Sequence, residues 1–316
     1  MSKINIIIFW ILVIFVTSCS SEEEDKTDVV DSSLRNATTL STNVDGVSVL
    51  IFGENGGNFN YQDSIIPSWS EDGKATKNLV LGTYKFLFYK SAGINTRFSP
   101  ANLDETITLS DIKFVAKPDP QDSLNYVLPV GDIWLADDTV ANRKYVIKGS
   151  DVVKNELKRA VSQVVLKINR GYAVADSMKP LVYPDGENIM DNIQDIKLDI
   201  DGVGKEINVF GAIASSKTLY TTDRTTAEIS GEGFATINGP LVLPAIANKL
   251  AEVEITLTPP ANSLFDVMKT KVSGKLQRNR QLVITLWLTA AYKLIDITVD
   301  TKEISEYSDG DLGIWE

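Results

Sequence analysis

Cys19 is the single cysteine among 316 residues, and it closes the run Val16-Thr17-Ser18-Cys19 at the end of an apolar stretch, residues 4–15. A thiol there, behind the small residues Thr17 and Ser18, suits conversion to a thioether-linked lipid by a peptidase that cuts before cysteine. Each acyl methylene then buried in a bilayer contributes about 0.8 kcal/mol. With Lys3 as a minimal basic start, residues 1–18 read as a lipoprotein signal peptide, too short for a comfortable membrane span. The mature chain is expected to begin at Cys19, which serves as a membrane anchor.

Other reactive constellations are thin. The chain has no histidine, which removes the commonest general base, the commonest zinc ligand and every Ser-His or Cys-His nucleophilic pair. Carboxylate chemistry survives in principle, with acids at residues 22–25 and at Asp137-Asp138. Glycoside hydrolysis, however, needs two carboxyls at a defined separation across a cleft. The segment Asp199-Ile200-Asp201-Gly202-Val203-Gly204 starts like a calcium loop, with Ile207 at the hydrophobic position. Val203 then stands where an oxygen ligand belongs and Phe210 where the bidentate glutamate belongs, so it reads as a β-turn. No glycine-rich loop follows a strand and opens a helix, so nucleotide binding has no support. No catalysis, cofactor or metal is implied. Among the tryptophans, Trp134 and Trp287 sit in apolar runs and read as core. Trp69 and Trp315 are the better candidates for exposed contacts.

The formal net charge of −11 becomes −12 once Lys3 leaves with the signal peptide, which argues against nucleic acid and against anionic lipid surfaces. Lacking a second thiol, the fold has no disulfide framework and must rest on apolar packing and sheet hydrogen bonds. Residues 19–43, acidic at first and rich in Ser and Thr, read as a solvated tether. Roughly 270 residues then remain, enough for two domains of ordinary size.

Beyond the tether, short alternating apolar runs recur between Gly, Pro, Asn and Asp clusters, the pattern of antiparallel sandwiches. Val47, Val49 and Ile51 share one face. Asn55-Gly56-Gly57 supplies a tight turn before Phe59 and Tyr61, and Gly82 marks a bulge or strand start. Residues 151–168 read as a short helical or irregular entry followed by a strand. The proline-bearing stretch that follows puts the domain boundary near Tyr172, giving domains at residues 44–172 and 173–316.

Three runs carry a resemblance. Val49-Leu-Ile-Phe-Gly-Glu-Asn-Gly56 is similar to the first strand and turn of the FimB-like fimbrial anchor and accessory subunits. Leu81-Gly-Thr-Tyr-Lys-Phe-Leu-Phe-Tyr-Lys90 resembles their glycine-threonine-tyrosine strand. Leu157-Lys-Arg-Ala-Val-Ser-Gln-Val-Val-Leu-Lys-Ile168 resembles the strand that closes their N-terminal domain. The acids behind Cys19 are also similar to the tag of surface-exposed lipoproteins in Bacteroidetes-type bacteria. The resemblance implies an all-β protein of two tandem transthyretin-like β-sandwich domains. It also implies an outer-membrane lipoprotein facing the cell surface, with fimbrial subunits as partners that dock by β-strand addition.

Two segments acquire roles from that resemblance. Ile295, Ile297 and Val299 form a possible donor strand, the more ordinary reading being a last strand of their own domain. Shaft subunits of the wider group lose an N-terminal strand after an arginine, which makes Arg35 and Asn36 a possible processing site. The polar surroundings of Arg35 do not look like a removable core strand, which favours an anchor or accessory subunit over a processed shaft subunit. A glycan-binding lipoprotein of a polysaccharide uptake system, marked by an exposed aromatic cluster, and a surface glycosidase are the alternatives; any host ligand is unspecified.

Overall fold

The computed structural model describes residues 35–304 except 66–68, 71–72, 137, 175–176, 183–186 and 231–232. In the first part of the chain the strands are β1 (Arg35–Thr42), β2 (Ser48–Asn55), β3 (Asn58–Ile65), β4 (Lys74–Val80), β5 (Gly82–Ser91), β6 (Thr96–Ser99), β7 (Lys113–Ala116), β8 (Ile133–Ala136), β9 (Tyr145–Ile147), β10 (Val152–Asn155) and β11 (Leu157–Arg159). The rest comprises β12 (Ser162–Val174), β13 (Ser177–Pro180), β14 (Asp195–Asn208), β15 (Gly211–Asp223), β16 (Glu228–Ile229), β17 (Ala235–Val242), β18 (Ala251–Thr258), β19 (Met268–Gly274), β20 (Arg280–Leu288) and β21 (Leu294–Glu303). Among the described residues, helix is confined to single turns such as Asp138–Ala141, so the fold is all-β, as the alternating pattern predicts.

Four sheets result. One is short, in the order β10-β1-β4. The second runs β11-β8-β5-β2-β3, with β9 also on β5. The third runs β16-β17-β12-β20-β21, and the fourth β19-β18-β14-β7-β6, with β15 beside β14. In β2, Val49, Leu50, Ile51 and Phe52 are all buried, because this sheet is covered on both faces. A strand that meets apolar neighbours on either side has no polar face, hence the unbroken apolar run. Val49, Ile51, Phe86 and Phe88 turn toward β1 and β10 and join the smaller core with Leu40 and Val153. Leu50, Phe52 and Leu87 turn the other way and join the larger core. There Tyr89 stacks on Phe98 at 5.4 Å and meets Phe114 at 5.5 Å.

The larger core is continuous from Leu50 to Tyr292. It is continuous because the fourth sheet bridges both halves of the chain. The first half of β14 pairs with β18, and its second half takes β7 through Glu206↔Val115 and Ile207↔Phe114. Lys113 and Glu206 add an ion pair at 3.4 Å across that junction.

Several local expectations change. The two-residue turn Gly56-Gly57, both with φ near +60 to +90° (58 and 88°), joins β2 to β3 as the Asn-Gly signal requires. Gly82 starts β5. Residues 151–168 contain no helix: β10, β11 and the start of β12 occupy them, since the β-branched density outweighs the partial helical period. The run Leu157–Ile168 is split between two sheets: residues 157–159 form β11 and pair with β8 of the second sheet, whereas residues 162–168 open β12 and pair with β17 and β20 of the third. A boundary at residue 172 therefore falls inside β12. Residues 199–204 are no turn either; they lie within β14, whose register with β15 shifts between Asp201 and Val203, the mark of a β-bulge.

Candidate functional site

Arg35–Thr42, expected to belong to the tether, is strand β1. It fills the slot between two other strands. On one side it runs antiparallel to β4, from Arg35↔Val80 to Ser41↔Lys74. On the other it runs parallel to β10, from Thr39↔Val152 to Thr42↔Asn155. Thr38, Leu40 and Thr42 point inward and are buried. Threonine suits an extended backbone, yet only Leu40 supplies a large apolar side chain, so the segment carried little hydrophobic signal. The alternation Thr38, Leu40, Thr42 was the clue available in the sequence.

The slot is imperfectly filled. The Thr38 hydroxyl, fully buried, has no hydrogen-bond partner among the described residues, and neither does either amide atom of Asn155, which is 1 % exposed. Buried polar groups are nearly always paired, so two such residues on adjacent strands stand out. The far end is better closed: the Asn43 amide donates to Leu157 O at 3.3 Å and accepts from Leu157 N at 2.8 Å, pairing with the β11 backbone as a strand would. Close by, Arg159 donates from Nε to Asp132 Oδ2 at 3.0 Å, and the Trp134 indole donates to the same oxygen at 2.9 Å. The Arg159 guanidinium also lies over the Trp134 ring, so this buried pair is both hydrogen-bonded and stacked.

Arg35 and Asn36 thus stand at the head of β1, opposite Val80 and Leu79. A cut between them would separate whatever precedes the strand and leave β1 seated. No arginine occurs from residue 36 to residue 96, so the connection from β1 to β2 offers no arginine at which to release it. Cys19 lies outside the described residues, as do Trp315, the acids at residues 22–25 and Asp137.

The three donor candidates sit in β21, which pairs antiparallel with β20 through Leu286↔Ile297 and Ile284↔Val299. Ile297 packs on the larger core, whereas Ile295 and Val299 are 38 % and 42 % exposed. Ile295 falls at a register shift opposite Trp287 and Leu288, so the three do not form one buried face. β21 is the terminal strand of its sheet, and two of its backbone N–H groups, Ile297 and Thr301, donate to the preceding carboxylates of Asp296 and Asp300. Acids on a terminal strand discourage unwanted edge pairing.

Around residues 199–201 the acids are engaged by the protein itself. Tyr126 donates its hydroxyl to Asp199 at 2.9 Å, a bond that raises the tyrosine pKa above its ordinary value. Asp201 pairs with Lys217 at 3.1 Å and raises the lysine pKa likewise. Among the described residues no group of three or more acidic, histidine or cysteine side chains is arranged to hold a metal. Trp69, expected on the surface, instead packs on the smaller core and donates its indole N–H to Val47 O at 2.9 Å. Trp287, expected in the core, belongs to neither core.

Comparison with known proteins fits this architecture. The fold is shared with the fimbrial anchor protein Mfa2 from Porphyromonas gingivalis, at a TM-score of 0.50 and 11 % identity over 87 % of this chain and 100 % of that one. It is shared with a candidate adhesin from Bacteroides ovatus, at 0.53 and 12 % over 84 % and 94 %. A candidate polysaccharide-binding protein from Bacteroides thetaiotaomicron is similar at 0.53 and 12 % over 86 % and 98 %. No curated protein matches the sequence. The family of fimbrillin-A associated anchor proteins Mfa1 and Mfa2 matches residues 26–305, and the chain belongs to that family.

Proposed function

We propose that the protein is a non-catalytic, surface-facing outer-membrane lipoprotein, tethered through lipidated Cys19, that anchors fimbrial subunits or serves as an accessory subunit among them. Docking proceeds by β-strand addition, in which main-chain hydrogen bonds supply affinity and alternate side chains supply register. The observation that carries this reading is that Arg35 is the first residue of β1, a strand seated between β4 and β10, and so lies on the chain between the proposed lipid site and the rest of that strand. An arginine-directed cut would detach the lipid without vacating the slot between β4 and β10, the reverse of what a processed shaft subunit requires. A chain with this order works only while it stays whole, which is what anchoring demands.

The test is fractionation of cells carrying the wild-type protein or Cys19→Ser, with cross-linking and mass spectrometry of the N-terminus and partners. The expected result is lipidated Cys19 and co-purified fimbrial subunits for the wild type. For the variant, protein and attached polymer should be shed into the medium. A membrane-bound Cys19→Ser protein, or a native N-terminus at Asn36, would overturn the reading.

A further inference from the structure

We infer that the outward face of the third sheet carries a glycan-binding platform built on Trp287 and Phe234. Leu286 and Leu288 are buried in the larger core, so the residue between them on β20 projects from the opposite side of the sheet. Trp287 and Phe234 are each partly exposed and take part in neither core. Their rings meet edge to face, with centroids 5.1 Å apart.

The indole has a prepared seat. A Cβ at Gly171 would lie 2.6 Å from Cε3 of Trp287, so a side chain there would lift the ring off the sheet. The register then fixes the surroundings. Trp287 lies beside Asp296 of β21, and the next row across the sheet holds Glu228, Thr236, Lys167, Thr285 and Thr298. A small aromatic surface is thereby bordered by two carboxylates, an ammonium and three hydroxyls.

A pyranose has the complementary form: a flat patch of C–H groups that packs on an aromatic face, rimmed by hydroxyls that exchange hydrogen bonds with such groups. Binding sites generally combine aromatic lining with a few placed polar groups. A protein partner is disfavoured because the row beside the rings holds no large apolar side chain, whereas interface cores are depleted in charge and rich in apolar area. One cation and two anions beside the rings leave a small negative excess that repels an anionic polymer, so the ligand is a neutral oligosaccharide. This site stands apart from β1 and does not depend on the anchoring role.

The experiment uses the full mature chain, labelled so that each indole N–H is resolved by NMR. It is titrated with maltohexaose, cellohexaose, mannohexaose, xylohexaose and galactohexaose at millimolar concentration. The expected result is a saturable shift of the Trp287 indole with at least one sugar, weakened about tenfold or more by Trp287→Ala and less by Lys167→Ala. Phe234→Leu provides a second, milder variant should Trp287→Ala alter the near-ultraviolet dichroism of the fold. Silence of the Trp287 signal with all five sugars, or unchanged affinity in a folded Trp287→Ala protein, would overturn the proposal. So would a Trp287 shift that follows protein concentration without sugar, because the face would then be a contact between copies.

Discussion

Thr38 is fully buried on β1 and hides a hydroxyl that nothing among the described residues accepts from or donates to. Leaving a buried polar group unmade costs about 1–3 kcal/mol, whereas an apolar group of the same shape carries no such penalty. Thr38→Val keeps the branched outline and removes the hydroxyl. It should therefore raise stability by about 1 kcal/mol, seen as a higher urea midpoint with unchanged slope. A lower midpoint would mean that the hydroxyl is paired. Residues of this kind are illegible in a sequence, since Thr38 reads as one more polar position in a Ser/Thr-rich stretch. Trp69 and Trp287 were misread for a related cause. Neighbouring residue types indicate burial only on average, while the actual fate of a ring depends on which loop folds back over it, as with Trp69 on Val47, or on a distant glycine, as with Trp287 on Gly171.

At the level of elements, strands with a strong period or run were readable. The hairpin at Gly56-Gly57 and the doubly buried β2 and β5 follow directly from residue types, and so does the all-β class. What failed was assignment of partners. Nothing in Leu157 to Ile168 tells whether its neighbours will be β8 or β20, because pairing over more than a hundred residues is decided by the whole core. β1 was missed for want of apolar residues, and its pairing has a consequence for proteolysis. Proteases need several residues of free extended chain, and Arg35 heads a strand paired on one side along its whole length and on the other from Thr39. Cleavage must therefore wait for local opening of β1. An arginine-specific protease should leave the Arg35–Asn36 bond of the native protein intact under conditions that cut an unstructured peptide of residues 28–42 within minutes. Leu40→Asp, which removes the one large apolar anchor of β1, should make the bond sensitive. Equal rates in the native protein and the peptide, followed by mass spectrometry, would show that β1 gives no protection and would revive processing at Arg35.

For the whole molecule, the decisive feature is that the two halves of the described chain share a sheet and a core. The larger core draws on both halves. β14 is shared between β18 and β7, and Arg278 donates to Val209 O at 3.2 Å and to Ala136 O at 3.3 Å, tying the loop before β20 to the end of β8. Domains that meet through a small polar interface unfold separately, but shared sheets and a shared core make each half depend on the other. Unfolding of the mature chain should therefore be one transition by calorimetry, with equal calorimetric and van't Hoff enthalpies, and should coincide when followed by tryptophan fluorescence and by far-ultraviolet dichroism. A fragment of residues 35–172 should fail to fold, because it cuts β12 and strips β7 of its β14 partner. Two resolved transitions, or a cooperatively folded fragment, would restore the picture of tandem independent domains drawn from the sequence. The distinction matters for a fimbrial anchor under load: the second sheet packs on both cores, so it joins the core beneath β1 to the core beneath the sheet that ends in β21.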